Sequence, residues 1–70
     1  MTTSTITERE IQIIKLLAFE HSSTEISSLL YISDNTVKTH RKNIFKKLQV
    51  KNVAGLVRVA FERKFLSISA

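Results

Sequence analysis

Apolar side chains recur at helical spacing along nearly the whole chain, and small polar residues suited to capping interrupt that recurrence at intervals. Thr7 precedes Glu10 by three residues, so hydroxyl and carboxylate can each satisfy the other's backbone amide, and Ile11, Ile14, Leu17 and Ala18 follow on one face. The pattern predicts a first helix over about 8–19. Ser22 and Glu25 repeat the spacing ahead of Ile26, Leu29 and Leu30, predicting a short second helix over about 23–30. After Tyr31 and Ile32, Ser33 is placed to accept from the free amides near Asn35 and Thr36, and a third helix is expected to run to about Leu48. Beyond Gln49, Val50 and Lys51, Asn52 can cap a last helix carrying Val53, Leu56, Val57, Ala60 and Phe61. The tail after Lys64 is expected to fray.

The chain has no proline, one glycine and no cysteine, which removes most support for strand-and-turn architectures and for a disulfide framework. The expected fold is all-α: a compact four-helix bundle in which the closely joined second and third helices form a helix-turn-helix. Residues 1–6 read as a flexible leader, 7–66 as the domain and 67–70 as a frayed tail. Seventy residues allow one small core, so function must sit on a surface and not in a deep cleft. The hydroxyls are explained by caps, with no nucleophile, base and orienting group at a recognisable spacing, so no enzyme is expected. His21 and His40, with no cysteine, do not suggest a metal site, and no cofactor or small-molecule ligand is expected. No apolar run is long enough to span a bilayer, and Met1 to Ile6 lacks the features of a signal peptide. A cytoplasmic location is expected.

The net charge of +5 and the pI near 10.0 change this picture through their distribution. Residues 1–35 carry two basic and five acidic side chains, residues 36–70 nine basic and one acidic. Lys38, Arg41, Lys42, Lys46, Lys47 and Lys51 follow one another without an intervening acid, a concentration that favours phosphate binding. At about 100° per residue, Val37, Ile44 and Leu48 of the third helix fall together as a core face. Asn35, Lys38, Thr39, Lys42 and Lys46 gather opposite. Ordinary solvated helix faces mix signs, whereas this one repels itself unless an anion is present. Lys, Thr and Asn offer hydrogen-bonding groups for base edges, and the Thr39 methyl can meet thymine. Arg41 and Lys47 flank the face. Ser22, Ser23 and Thr24, at the positive end of the second helix, suit either capping or a phosphate oxygen.

Taken in order, Thr7-Glu8-Arg9-Glu10, Ser22 through Ile26, Ile32-Ser33-Asp34-Asn35-Thr36-Val37-Lys38-Thr39-His40 and Asn43-Ile44-Phe45-Lys46-Lys47-Leu48 resemble the LuxR-type helix-turn-helix domain, from about Ile6 to Leu66. That family includes output domains of bacterial response regulators and quorum-sensing receptors. The resemblance implies double-stranded DNA as partner, with the third helix, about 34–48, in the major groove. It implies base contacts by Lys38, Thr39 and Lys42 and phosphate contacts by Thr36 and its neighbours; with the flanking groups, the phosphate set is Ser23, Thr24, Asn35, Thr36, Arg41, Lys46 and Lys47. The chain departs from the family at three places. Glu20 stands where glycine usually ends the first helix, so the left-handed position suited to glycine must be strained, shifted or avoided there; Ser27 replaces a usual alanine, adding a hydroxyl that needs a partner; and Gln49 stands where glycine is common after the third helix.

The fourth helix is apolar over an arc wider than one stripe. Leu56, Val59 and Ala60 suit the monomer core, which leaves Val53, Ala54, Val57 and Phe61 for a self-complementary dimer patch, consistent with the dimerising role the resemblance implies for this helix. The patch is small, so a weak or DNA-promoted homodimer is expected on two half-sites. RNA polymerase is a further candidate partner. The competing readings are a sigma-factor region 4-like module that contacts promoter and polymerase, and a basic helical protein that binds nucleic acid without sequence preference.

Overall fold

The computed structural model describes residues 5–67, with helices α1 (Glu8–Ala18), α2 (Ser23–Leu30), α3 (Asp34–Leu48) and α4 (Val53–Glu62). Each helix begins at a side chain that accepts from an amide lacking an intrahelical partner. Thr7, Ser22, Ser33 and Asn52 accept from the amides of Glu10, Glu25, Thr36 and Gly55 at 3.1, 3.1, 3.0 and 2.9 Å. The Glu10 and Glu25 carboxylates return the favour to the Thr7 and Ser22 amides at 2.9 and 2.8 Å, completing two capping boxes.

All four helices close in the same way, without glycine. Glu20, Tyr31, Gln49 and Lys64 adopt φ of 69°, 58°, 56° and 66°, the left-handed region that disfavours a Cβ. In each case the next residue's amide reaches back to a carbonyl of the last turn: His21 to Leu16, Ile32 to Ser27, Val50 to Phe45 and Phe65 to Ala60, at 2.8–3.1 Å. Ile32, Val50 and Phe65 also pack against the core, so apolar burial just beyond the turn holds the strained residue in place. The one glycine serves a different purpose. A Cβ at Gly55, inside α4, would lie 3.3 Å from Cβ of Val50, so glycine lets the α3–α4 connection approach the helix closely.

The core unites Ile13, Ile14 and Leu17 of α1, Ile26 of α2, Val37, Ile44 and Leu48 of α3, and Leu56, Val59 and Ala60 of α4. α3 packs against each of the other helices. Ile13 is fully buried although the spacing had favoured Ile11 and Ala18, both half-buried. Leu29, expected in the α2 stripe, is 52% exposed, because Ile26 alone of that helix reaches the centre. At the ends, 1–4 of the expected leader and 68–70 of the expected tail lie outside the described residues. Ile6, however, packs on the core, as do Phe65 and Leu66, whose amides both donate to the Ala60 carbonyl, within the stretch after Lys64 that is expected to fray.

The buried polar residue of the core region is Glu10, 5% exposed, whose carboxylate meets the Lys47 ammonium of α3 at 2.8 Å. Burial pushes this carboxyl up, but the Lys47 and Thr7 hydrogen bonds and the Lys47 charge together outweigh it and hold the group below its ordinary value of 4.5. A depressed carboxyl contributes stability that is present above that ordinary value and is lost as pH falls through the folded value. In chemical denaturation at a series of pH values, wild type should therefore exceed Glu10→Gln most clearly above pH 4.5, with the gap narrowing below it. At the other structural device, Gln49→Gly removes a Cβ from a left-handed residue and should raise stability by about 0.5–1 kcal/mol, read as a higher melting temperature.

Candidate nucleic-acid interface

α3 presents two unlike sides. Val37 and Ile44 are fully buried and Leu48 nearly so, which fixes the helix against its neighbours. Asn35, Thr36, Lys38, Thr39, Lys42 and Lys46 are exposed. Lys38, Lys42 and Lys46 are spaced four residues apart and form one row along the outside, with Thr39 beside it. Among the described residues the ion pairs join His21 to Glu25, Lys47 to Glu10 and Arg58 to Glu62, so no member of the row is neutralised.

The flanks of the row differ. The Arg41 guanidinium sits over the Phe45 ring, 5.5 Å from its centroid, a stacking that holds the charge beside the row while leaving its planar edge able to donate. Lys47, expected among the phosphate contacts from its place in the basic run, is engaged within the protein in this structure. Its ammonium donates to both Glu10 oxygens, at 2.8 and 2.9 Å, and to the Thr5 carbonyl at 3.1 Å, which uses all three of its N–H groups. Its charge neutralises a buried carboxylate. The Glu10 capping box was visible in the sequence, but this second partner lies 37 residues away and no local pattern announces it.

The N-termini of α2 and α3 carry the remaining candidate hydroxyls. At the start of α3, the Ser33 and Thr36 hydroxyls share a hydrogen bond of 2.8 Å, which leaves one of their two protons free to donate outward. At the start of α2, Ser22 is committed to its capping box, Ser23 is half-buried and Thr24 exposed. The Ser22 amide holds the Glu25 carboxyl below the usual range, with His21 at 3.7 Å adding to the effect. The added hydroxyl of Ser27 finds its partner in the Thr24 carbonyl at 2.7 Å.

On α4, Leu56, Val59 and Ala60 enter the core, while Val53 and Val57 are half-buried and Ala54 and Phe61 exposed. Away from α3 and α4, Phe19 and Tyr31 are exposed, and a shallow hollow of about 320 Å³ lined by His21, Thr24, Glu25, Ser28 and Leu29 lies on the outside of α2. Composition gave no signal for these features, since isolated exposed apolar residues follow no periodicity. His40 is half-buried, between core and rim. Among the described residues no three His, Cys, Asp or Glu converge to hold a metal, and no helix is long and apolar enough to cross a membrane.

The chain matches, over residues 4–60, the family described as "Bacterial regulatory proteins, luxR family". It is 51% identical over 47 residues to the "Probable csgAB operon transcriptional regulatory protein" of Salmonella typhimurium, covering 67% of this chain and 22% of that protein. It is 41% identical over 61 residues to "Response regulator protein VraR" of Staphylococcus aureus, covering 87% of this chain and 29% of that one. A solved structure of "Response Regulator ChrA in Heme-Sensing Two Component System" superposes with a TM-score of 0.87 at 30% identity, over 94% of this chain and 33% of the other. The chain thus spans between 22% and 33% of the length of these relatives. A helix-turn-helix of this shape, an unneutralised basic row on its third helix and a family match over most of its length make the chain a DNA-binding domain of the luxR family of bacterial regulatory proteins, which are transcriptional regulators and not enzymes.

Proposed function

We propose that the chain binds double-stranded DNA sequence-specifically as the output domain of a cytoplasmic transcriptional regulator, with α3 in the major groove. The observation that carries this reading is the exposed row of α3, cationic without an intervening acid and set opposite a fully buried face. Lys38, Thr39 and Lys42 read base edges, since they cluster on the exposed side of the middle of the helix and combine donors with a methyl group. Ser23, Thr24, Asn35, Thr36, Arg41 and Lys46 contact phosphates and fix register, and Lys47, also expected in that set, donates to Glu10 and Thr5 in the unbound domain. Two copies pair through Val53, Ala54, Val57 and Phe61 on two half-sites, an association too small in area to be strong without DNA.

Selection of bound duplexes from a random pool tests this reading directly. A two-fold symmetric motif is the expected result. A single asymmetric element would favour a promoter-and-polymerase module instead, and equal affinity and salt slope for selected and scrambled duplexes would overturn specific readout altogether. Lys42→Ala should reduce discrimination between those duplexes by about 1–3 kcal/mol, whereas Lys46→Ala should weaken both alike and lower the salt slope by about one. Binding titrations across a range of salt concentrations separate the two effects. Val57→Glu should keep near-normal helicity by circular dichroism yet reduce affinity for a two-half-site duplex toward that for a single half-site; a loss of helicity instead would assign Val57 to the monomer core.

A further inference from the structure

We infer that Glu10 and Lys47 are positioning residues for base reading: their ion pair fixes the rotation and axial setting of α3, and so where Lys38, Thr39 and Lys42 point. The inference rests on the proposal that those three residues read bases. Its warrant is the pattern of directional contacts. Among the described residues, every other side-chain hydrogen bond closes over three or four positions of the same stretch of chain. Only the Lys47 ammonium reaches between distant segments, spanning 37 residues to Glu10 and 42 to Thr5.

The rest of what holds α3 in place is dominated by apolar packing, and apolar attraction is non-directional. Packing bounds rotation and slide of a helix by resisting voids and overlap, and an ion pair between distant segments adds a directional restraint that Val, Ile and Leu surfaces lack. Reading a base edge tolerates little rotation or slide. On a helix about 10–12 Å across, a rotation of about 10° carries a surface group through about 1 Å, which is the margin between a good and a poor hydrogen bond. The Glu10 carboxylate is a firm anchor against such motion, because it is nearly buried and its Oε1 also accepts from the Thr7 amide at 2.9 Å. Lys47 lies five residues beyond Lys42, about 140° around the helix, so it grips α3 from the side and leaves the reading row clear.

This role separates from simple charge and from simple stability. Glu10→Gln makes the protein more positive, which by charge alone would tighten binding to every duplex. Partial unfolding lowers apparent affinity for all duplexes by the same factor and leaves their ratio unchanged. The test therefore reads the ratio of affinities for a pool-selected duplex and its scrambled counterpart, with helicity measured on each variant. Glu10→Gln and Lys47→Met should each lower that ratio by about tenfold, the worth of one base contact, with the double variant no worse than the singles. Lys47→Arg, which can still meet the carboxylate, should retain it.

A folded Glu10→Gln with an unchanged ratio overturns the inference alone. So does Lys47→Met with an unchanged ratio and a salt slope lower by about one, the behaviour of a phosphate contact. If a single variant leaves an unpaired buried charge and fails to fold, Glu10→Gln/Lys47→Gln, which leaves none, decides in its place: wild-type discrimination in that chain overturns the inference. A wild-type chain that does not discriminate overturns the base-reading proposal itself.

Discussion

The structure depends on α3 being held along one side while the other stays bare. Val37, Ile44 and Leu48 are buried among residues from the remaining helices, and burial of each such side chain contributes about 1.5–3 kcal/mol. The outward lysines four residues apart repel one another, but each such contact costs only about 0.2–0.5 kcal/mol. The core term is the larger by several fold, so the domain can maintain a self-repelling row that an isolated helix would resist. The packing of one side of this helix is therefore what lets the other side carry unpaired charge, the feature on which the proposed DNA binding rests.

How much of this was legible in the sequence follows from the range of the interactions. Helix starts were readable because Thr7, Ser22, Ser33 and Asn52 act on an amide three residues away, and α2 and α3 begin and end where the local pattern placed them. The two faces of α3 were readable for the same reason, since helical periodicity alone separates Val37 and Ile44 from Lys38 and Lys42. Helix ends were only half legible. Glu20 stands out as a residue ill suited to the left-handed region and adopts it, as does Gln49 at another usual glycine position, but so do Tyr31 and Lys64, which no local rule marks. What makes those conformations tolerable is burial of Ile32, Val50 and Phe65 just beyond the turn, and burial is settled by the whole fold.

The misreadings have a common origin. Lys47 belonged to the basic run by sequence and to Glu10 by structure, and only the packing of α1 on α3 brings the two together. Ile13, Leu29, Phe65 and Leu66 depart from expectation because a short helix in a small domain can bury only what its neighbours cover, a matter of where the other helices lie and not of spacing within one. The single glycine makes the same point in reverse. A residue that elsewhere permits left-handed backbone is used here inside α4 for close approach to Val50, while bulkier residues occupy the left-handed turns.

The acidic half of the chain also changes meaning in the fold. In the sequence, five acids stand ahead of the basic segment. In the structure four of them, Glu8, Glu10, Glu25 and Asp34, stand in the first turns of helices, where the positive end of the backbone dipole favours a carboxylate. Glu10 and Glu25 are further committed to capping boxes, and Glu10 to Lys47 as well. The acids are thereby engaged locally and close no ion pair with Lys38, Lys42 or Lys46 among the described residues. Segregation of charge along the sequence thus becomes separation of roles in space. Carboxylates start helices, Lys47 pairs with a nearly buried carboxylate, and Lys38, Lys42 and Lys46 are left as an exposed face with no acidic partner among the described residues.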